Sequence, residues 1–557
     1  MQPIQALGQL EAKRFEFGAG QGTARLALLQ SLAGACLKST RAVMRLHEQL
    51  CFMHAYPDDP KVLAQVAGML KGFARRQDLR RHRTALADSG IAGTDIRDRF
   101  YWPTARWLAA RWPEQLLIDW DAVDDPDRLL AALRLLMTPH ERARLKGRNP
   151  SPRTVIGRLK HRSTGDGTFL IRRMEALPGN DFTREALADG LDTPLLIEPA
   201  ATTPSRTLAR HSSSPVAFIK APLRQTRPDL HAELKRAPGS IRAAPAREAV
   251  RLIDLAHAAL VTRLRDIDGI AYANVHDVWV VTDDNGLQWA FIGIVPERRQ
   301  LLQATYGFVT LRNGVPIGYG QMDTLFRCSD VSFNSFDTFR GAETAWVFAR
   351  LLVACRALLG TCTFTLDGYQ LGHHNEEAIA SGAWWFYYKL GFRPRSAPIR
   401  QLASSEVMRI QSSPGHRTSP SLLRRLAADS MIFSTGGVSA PDWTLLADCG
   451  LRAAAPQAAL HEVDREAAIL ECSRRVARQL GLRSLTRATA ASSSSREAWN
   501  RWAPLVELLG VSRWDASDRR SLASIILAKG GPSEIEFLRR FDAHTPLNKA
   551  LRALVRA

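Results

Sequence analysis

The sequence predicts an α+β protein: a central, mostly antiparallel sheet with flanking helices, set between two mostly helical regions. Two Asn-Gly pairs, Asn285-Gly286 and Asn313-Gly314, each separate runs of apolar and aromatic residues. Asn-Gly supplies the φ > 0 positions of a tight hairpin, so two successive hairpins are expected. A strand pattern at 331–336 then feeds a helical pattern, and Thr363–Leu366 reads as a further strand. On either side of this stretch the apolar residues recur at helical spacing.

The chain has 557 residues, enough for two to four domains, and its 45% hydrophobic content excludes wholesale disorder. No stretch approaches the ~20 apolar residues of a membrane-spanning helix. The N-terminus lacks a basic segment followed by an apolar one, so no signal peptide is expected and the predicted location is cytoplasmic. Seven cysteines, Cys36, Cys51, Cys328, Cys355, Cys362, Cys449 and Cys472, are scattered without a C-x-x-C pair. They read as reduced core thiols. The net charge of +20 favours an anionic partner, whether nucleic acid, a phosphorylated cofactor or an acidic protein, although the basic residues are spread rather than gathered.

Residues 1–196 form the first region. Leu26, Leu29, Leu32, Cys36, Val43, Leu46 and Leu50 suit one buried helix face or two successive helices. Asp59-Pro60 and Asp125-Pro126 are helix starts, and Thr138-Pro139-His140-Glu141 is a capping box with proline at the first helical position. Trp102, Trp107, Trp112 and Trp120 read as packing residues rather than a ligand cage. Residues 197–249 are rich in Pro and Arg and read as a linker, with Val216–Ile219 a candidate short strand.

The region 250–402 opens on an amphipathic helix with Leu252, Ile253, Ala256, Leu260 and Leu264 on one face; Asp254 and His257 lie off that row as boundary or surface residues. The two hairpins follow, the sheet beginning near residue 277. Gly318-Tyr319-Gly320 lies inside a hairpin strand and is no dinucleotide fingerprint. The helix carrying Ala345, Phe348, Leu351, Leu352, Cys355 and Leu358 is closed by Gly360. A strand entering that helix through Arg340-Gly341 presents bare backbone N–H groups at a positive helix end, a natural anion site. An aromatic helix, Ala383 to Leu390, stops at Gly391, and Phe392 opens a last strand. Residues 403–420 read as a second linker. Residues 421–557 read as helical, with Ser517 and Ser533 as caps and Ser492–Ser495 as a flexible breaker.

Phe339-Arg340-Gly341, the Asn313–Tyr319 hairpin and Tyr387-Tyr388-Lys389-Leu390-Gly391-Phe392 together resemble the GCN5-related N-acetyltransferases, over roughly residues 250–402. More closely, the chain looks like a set of uncharacterised bacterial proteins carrying a degenerate version of that fold. The resemblance implies a mixed sheet splayed to admit the pantetheine arm of acetyl-CoA. Arg340, Gly341, Ala342, Thr344 and Ala345 would then cradle the pyrophosphate of this CoA thioester, with no metal, and Tyr387 would protonate the departing thiolate. Glu343 departs from the family pattern, standing where a glycine is expected. A carboxylate about 4 Å from a phosphate costs on the order of 4 kcal/mol at an effective dielectric near 20, unless it turns outward. Asn375 is displaced from the family's asparagine, and 373–377 looks like an inserted loop.

Candidates for a general base are Asp330 and Asp337, each also readable as a surface or turn residue. His373 and His374 with Glu376 and Glu377 invite a metal reading, against a solvated loop. The function expected is acyl-CoA-dependent acetyl transfer to an amine. The alternatives are a non-catalytic binding or scaffold protein on the same fold, and a nucleic-acid-binding protein. Transfer requires an open Arg-Gly corner and a phenol within reach of the thioester.

Overall fold

The computed structural model describes residues 2–18, 20–145, 150–211, 215–436, 458–482 and 492–556. The chain divides into two units. One comprises Met1–Leu223, Arg251–Ala271 and Arg312–Ile317; the other comprises Arg224–Val250, Tyr272–Leu311 and Gly318–Ala557.

Helices dominate the first unit, and their starts follow the expected chemistry. The Asp59 and Asp125 carboxylates accept from backbone N–H groups of the first turns. Thr138 and Glu141 satisfy each other's backbone N–H, closing the capping box. The long apolar row becomes two helices, Gln21–Ala33 and Thr40–Ala55. A small sheet was not expected. β1 (Ile96–Asp98), β2 (Leu116–Ile118) and β3 (Leu195–Ile197) pair antiparallel in the order β1-β3-β2. Its strands are only three residues long, too short to show alternation. They bury Ile96, Leu116, Ile118, Leu195 and Ile197 against Trp102, Leu108 and Leu170.

Val216–Ile219 is not a strand. Its backbone is held singly instead: the Ala217 N–H donates to the Asn313 side chain and the Ile219 N–H to the Pro57 carbonyl. The helix Ala246–Val261 forms as expected. His257 is nevertheless buried, because its ring stacks on Trp107 at 4.9 Å, and Asp254 accepts from Arg111 and the Trp107 indole.

The second unit is organised by a nine-stranded mixed sheet in the order β11-β12-β10-β9-β8-β7-β6-β5-β4. The strands are β4 (Ser240–Ala243), β5 (Ala273–Thr282), β6 (Leu287–Ile294), β7 (Ala304–Arg312), β8 (Val315–Leu325), β9 (Cys328–Ser335), β10 (Thr363–Leu366), β11 (Arg393–Pro394) and β12 (Met431–Ser434). Asn285, Gly286, Asn313 and Gly314 all take φ between 50° and 79°, the left-handed conformation the turns require. Gly320 is needed for space. A Cβ there would lie 2.5 Å from the Phe308 ring and 2.0 Å from the Ser332 carbonyl.

The crossover helix Thr344–Leu359 ends at Gly360, φ 73°, and joins β9 to β10 in parallel. Four expectations fail beyond it. Residues 403–412 are helical, inside Ala397–Ser412, where the hydroxyls of Ser404, Ser405 and Ser412 are taken up by the carbonyls four residues back. Met431–Ser434 is a strand, placed between β10 and β11, rather than part of a helical region. Ser492 caps the helix Ser493–Leu508 and breaks nothing. Ser533 caps a helix as expected, whereas Asp515, not Ser517, caps the helix before it.

That C-terminal part is tied to the sheet through buried polar groups. The Glu534 N–H donates to Asp277, Lys529 Nζ donates to the Glu534 carboxylate, and Arg299 donates to the Gly531 carbonyl. Lys529 and Arg299 meet the Glu534 carboxylate and backbone carbonyls, while Asp277 accepts from the Glu534 N–H, the Tyr306 hydroxyl and the Trp279 indole. Six of the cysteines are free thiols, four of them buried, and Cys449 lies outside the described residues. Among the described residues no helix is long and apolar enough to cross a membrane.

Candidate functional site: the parted strands beside the crossover helix

β9 and β10 pair only over Cys328–Asp330 against Thr363–Thr365. β9 runs on to Ser335, paired to β8 on its other side. Beyond Asp330, side chains replace the missing strand. Gln370 Nε2 donates to the Phe333 carbonyl at 2.8 Å, and Arg340 Nε donates to the Ser335 carbonyl at 3.3 Å. Carbonyls two residues apart face the same edge, so these two caps lie in a row. An unpaired sheet edge is a template for another extended, amide-bearing group, and here the chain's own side chains occupy it.

The sequence-predicted residues gather along this edge. Arg340 is half-exposed, and its guanidinium is paired twice, with Asp337 at 2.7 Å and Glu377 at 2.6 Å. Gly341 takes φ 79° with open space where a Cβ would be, so it serves the turn rather than a close approach. Ala342 is buried, and Thr344 and Ala345 begin the helix half-buried. Thr344 Oγ1 finds no hydrogen-bond partner among the described residues. Glu343 does not turn outward. It is 4% exposed and its carboxylate accepts the Arg224 N–H at 3.2 Å, while the Arg224 guanidinium lies 4.7 Å from the Trp346 ring centroid. The Arg224 stretch therefore covers the corner that an anion would approach.

Tyr387 is 2% exposed, ringed by Phe348, Phe386 and Phe392. Its hydroxyl accepts from Gln370 Nε2 at 2.7 Å, and burial pushes the phenol well above its usual range. One amide thus touches both the free edge of β9 and the phenol.

Asp330 ends the paired stretch. It is a strand residue, not a turn residue, and it faces Asp323 across β8. Burial raises its carboxyl to about 7, against the Thr365 hydroxyl, which donates at 2.5 Å; Asp367 and Asp323 raise it further. Asp337 is exposed and serves Arg340. The expected inserted loop is a short helix, Glu376–Ser381, capped by Asn375. His373 and His374 pack ring on ring at 4.1 Å, and Glu376 pairs with Arg424. Among the described residues no group of histidine, cysteine and carboxylate side chains could hold a metal.

The fit to a CoA thioester is therefore poor at three points. A carboxylate is buried at the phosphate corner, the arginine is neutralised by two acids, and the phenol is sealed. The Thr344 hydroxyl at the corner has no hydrogen-bond partner among the described residues. Gln370 was missed by sequence reasoning, because a lone glutamine in a short helix carries no pattern. No family model, curated protein or solved structure matches this chain.

Proposed function

We propose that this chain is a non-catalytic binding or scaffold protein that uses an acyltransferase-like sheet with its cofactor wedge closed from within. The Gln370–Tyr387 contact carries the reading. A general acid must reach the atom it protonates, and a buried phenol already bonded to an amide does not. The buried Glu343 and the doubly paired Arg340 support it, since an incoming diphosphate would have to displace or repel three carboxylates.

Acyl-CoA-dependent N-acyltransfer is the second reading. It is favoured by the parting of β9 from β10 and by the unsatisfied Thr344 hydroxyl. Asp330, poised near neutrality at the apex of the gap, would be its base. A thermal-shift series separates the two. With acetyl-CoA at millimolar concentration, the melting temperature of the wild type stays unchanged if the wedge is closed. A rise at submillimolar ligand favours the transferase. A rise seen only with Glu343→Gly assigns the closure to that carboxylate.

A further inference from the structure

A second cleft lies wholly within the first unit. Its cavity of about 440 Å³ falls inside the ~300–1,000 Å³ range of small-molecule sites. One wall is aromatic: Trp107 and Trp112 meet edge to face at 5.0 Å and 79°. Both indoles are fixed. Trp107 Nε1 donates to Asp254 at 2.9 Å, Trp112 Nε1 donates to Thr202 at 3.2 Å, and His257 backs Trp107. Burial lowers His257 to about 4, so that ring is neutral at physiological pH.

The rest of the lining carries positive charge. Three arginines, Arg111, Arg210 and Arg251, line the cleft with one carboxylate, Asp254. Asp254 is already matched by Arg111 at 2.6 Å. Arg210 contacts the Asn313 carbonyl at 3.2 Å and His54 at 3.3 Å, and among the described residues it meets no carboxylate. Burial holds His54 near 4, so it too is neutral. Arg251 makes no ion pair or side-chain hydrogen bond among the described residues. Among the described residues, two of the three guanidinium groups lining the cleft therefore have no carboxylate partner, whereas Arg111 has Asp254. Leu208, half-exposed on the rim, adds apolar surface for a ligand to cover.

We propose that this cleft binds a small planar anion of the nucleoside-monophosphate class, with its ring against the indoles and its anionic group at Arg210 and Arg251. Bases stack on aromatic side chains, and arginine is suited to phosphate. Neither element alone selects this ligand; two edge-to-face indoles lining one cleft with Arg210 and Arg251 do.

The test is calorimetric titration of the full chain with AMP, adenosine and inorganic phosphate, in wild type and Arg251→Glu. Arg251 is exposed, so the variant should fold, which circular dichroism checks. AMP should bind in the submillimolar range and weaken at least tenfold in Arg251→Glu. Adenosine should bind the wild type more weakly than AMP and lose little in the variant. Phosphate alone should give no saturable heat. No heat with millimolar AMP, or AMP binding unchanged by Arg251→Glu, overturns the proposal. Phosphate binding as tightly as AMP overturns the role of the indoles.

Discussion

Gln370 donates to the Phe333 carbonyl at 2.8 Å and so performs for β9 what a neighbouring strand performs three residues earlier. The same amide nitrogen meets Tyr387 at 2.7 Å. One neutral side chain therefore satisfies an open sheet edge and fixes a buried phenol. An unsatisfied buried group costs about 1–3 kcal/mol, which gives this contact a stabilising role without any catalytic one.

Gln370→Leu should accordingly destabilise the fold by about 1–3 kcal/mol, read as a lower midpoint in urea with unchanged slope. Tyr387→Phe removes one hydroxyl from the same contact and should cost less, about 0.5–1.5 kcal/mol. A larger loss for the phenol than for the amide would show that Gln370 is not the hub.

Arg350 is buried and bonds Asp283 at 2.7 Å, Glu233 at 3.3 Å and the Arg236 and Ala237 carbonyls. It pins the 233–237 stretch to the crossover helix. Arg350→Met leaves the buried Asp283 without its cation and should cost about 3–5 kcal/mol. Simultaneous Asp283→Asn should recover part of that loss, and a double-mutant cycle gives the coupling.

Asp330 supplies a pH dependence. Its folded-state value, about 7, lies above the ordinary carboxylate range. The folded state therefore holds the proton longer than the unfolded one, and the group's contribution is lost as pH rises from about 4 to 7. Asp330→Asn should then match the wild type near pH 4 and exceed it by roughly 1–3 kcal/mol at pH 8. Equal stability gains at both pH values would point away from ionisation.

Local chemistry made much of the fold legible. The Asn-Gly turns announce their own φ > 0 geometry, the Thr138–Glu141 box and Asp-Pro starts announce helix ends, and Gly360 closes the crossover helix where the apolar row stops. What stayed hidden depends on distant partners. β12 enters the sheet between β10 and β11 from about forty residues beyond β11, so nothing local marks 431–434 as its position. The helix through 403–412 was masked by serines whose hydroxyls turn back on their own helix. At the site, motifs single out Arg340, Gly341 and Tyr387, but the pairing of Arg340 with Asp337 and Glu377 and of Tyr387 with Gln370 is a matter of packing that spacing does not carry.

The account stands most directly on a calorimetric titration of the full chain with acetyl-CoA, run beside Arg340→Glu. A wedge closed by Gln370, Glu343 and Tyr387 predicts no saturable heat at millimolar ligand from folded wild-type protein. Submillimolar binding by the wild type, abolished by Arg340→Glu, would contradict it.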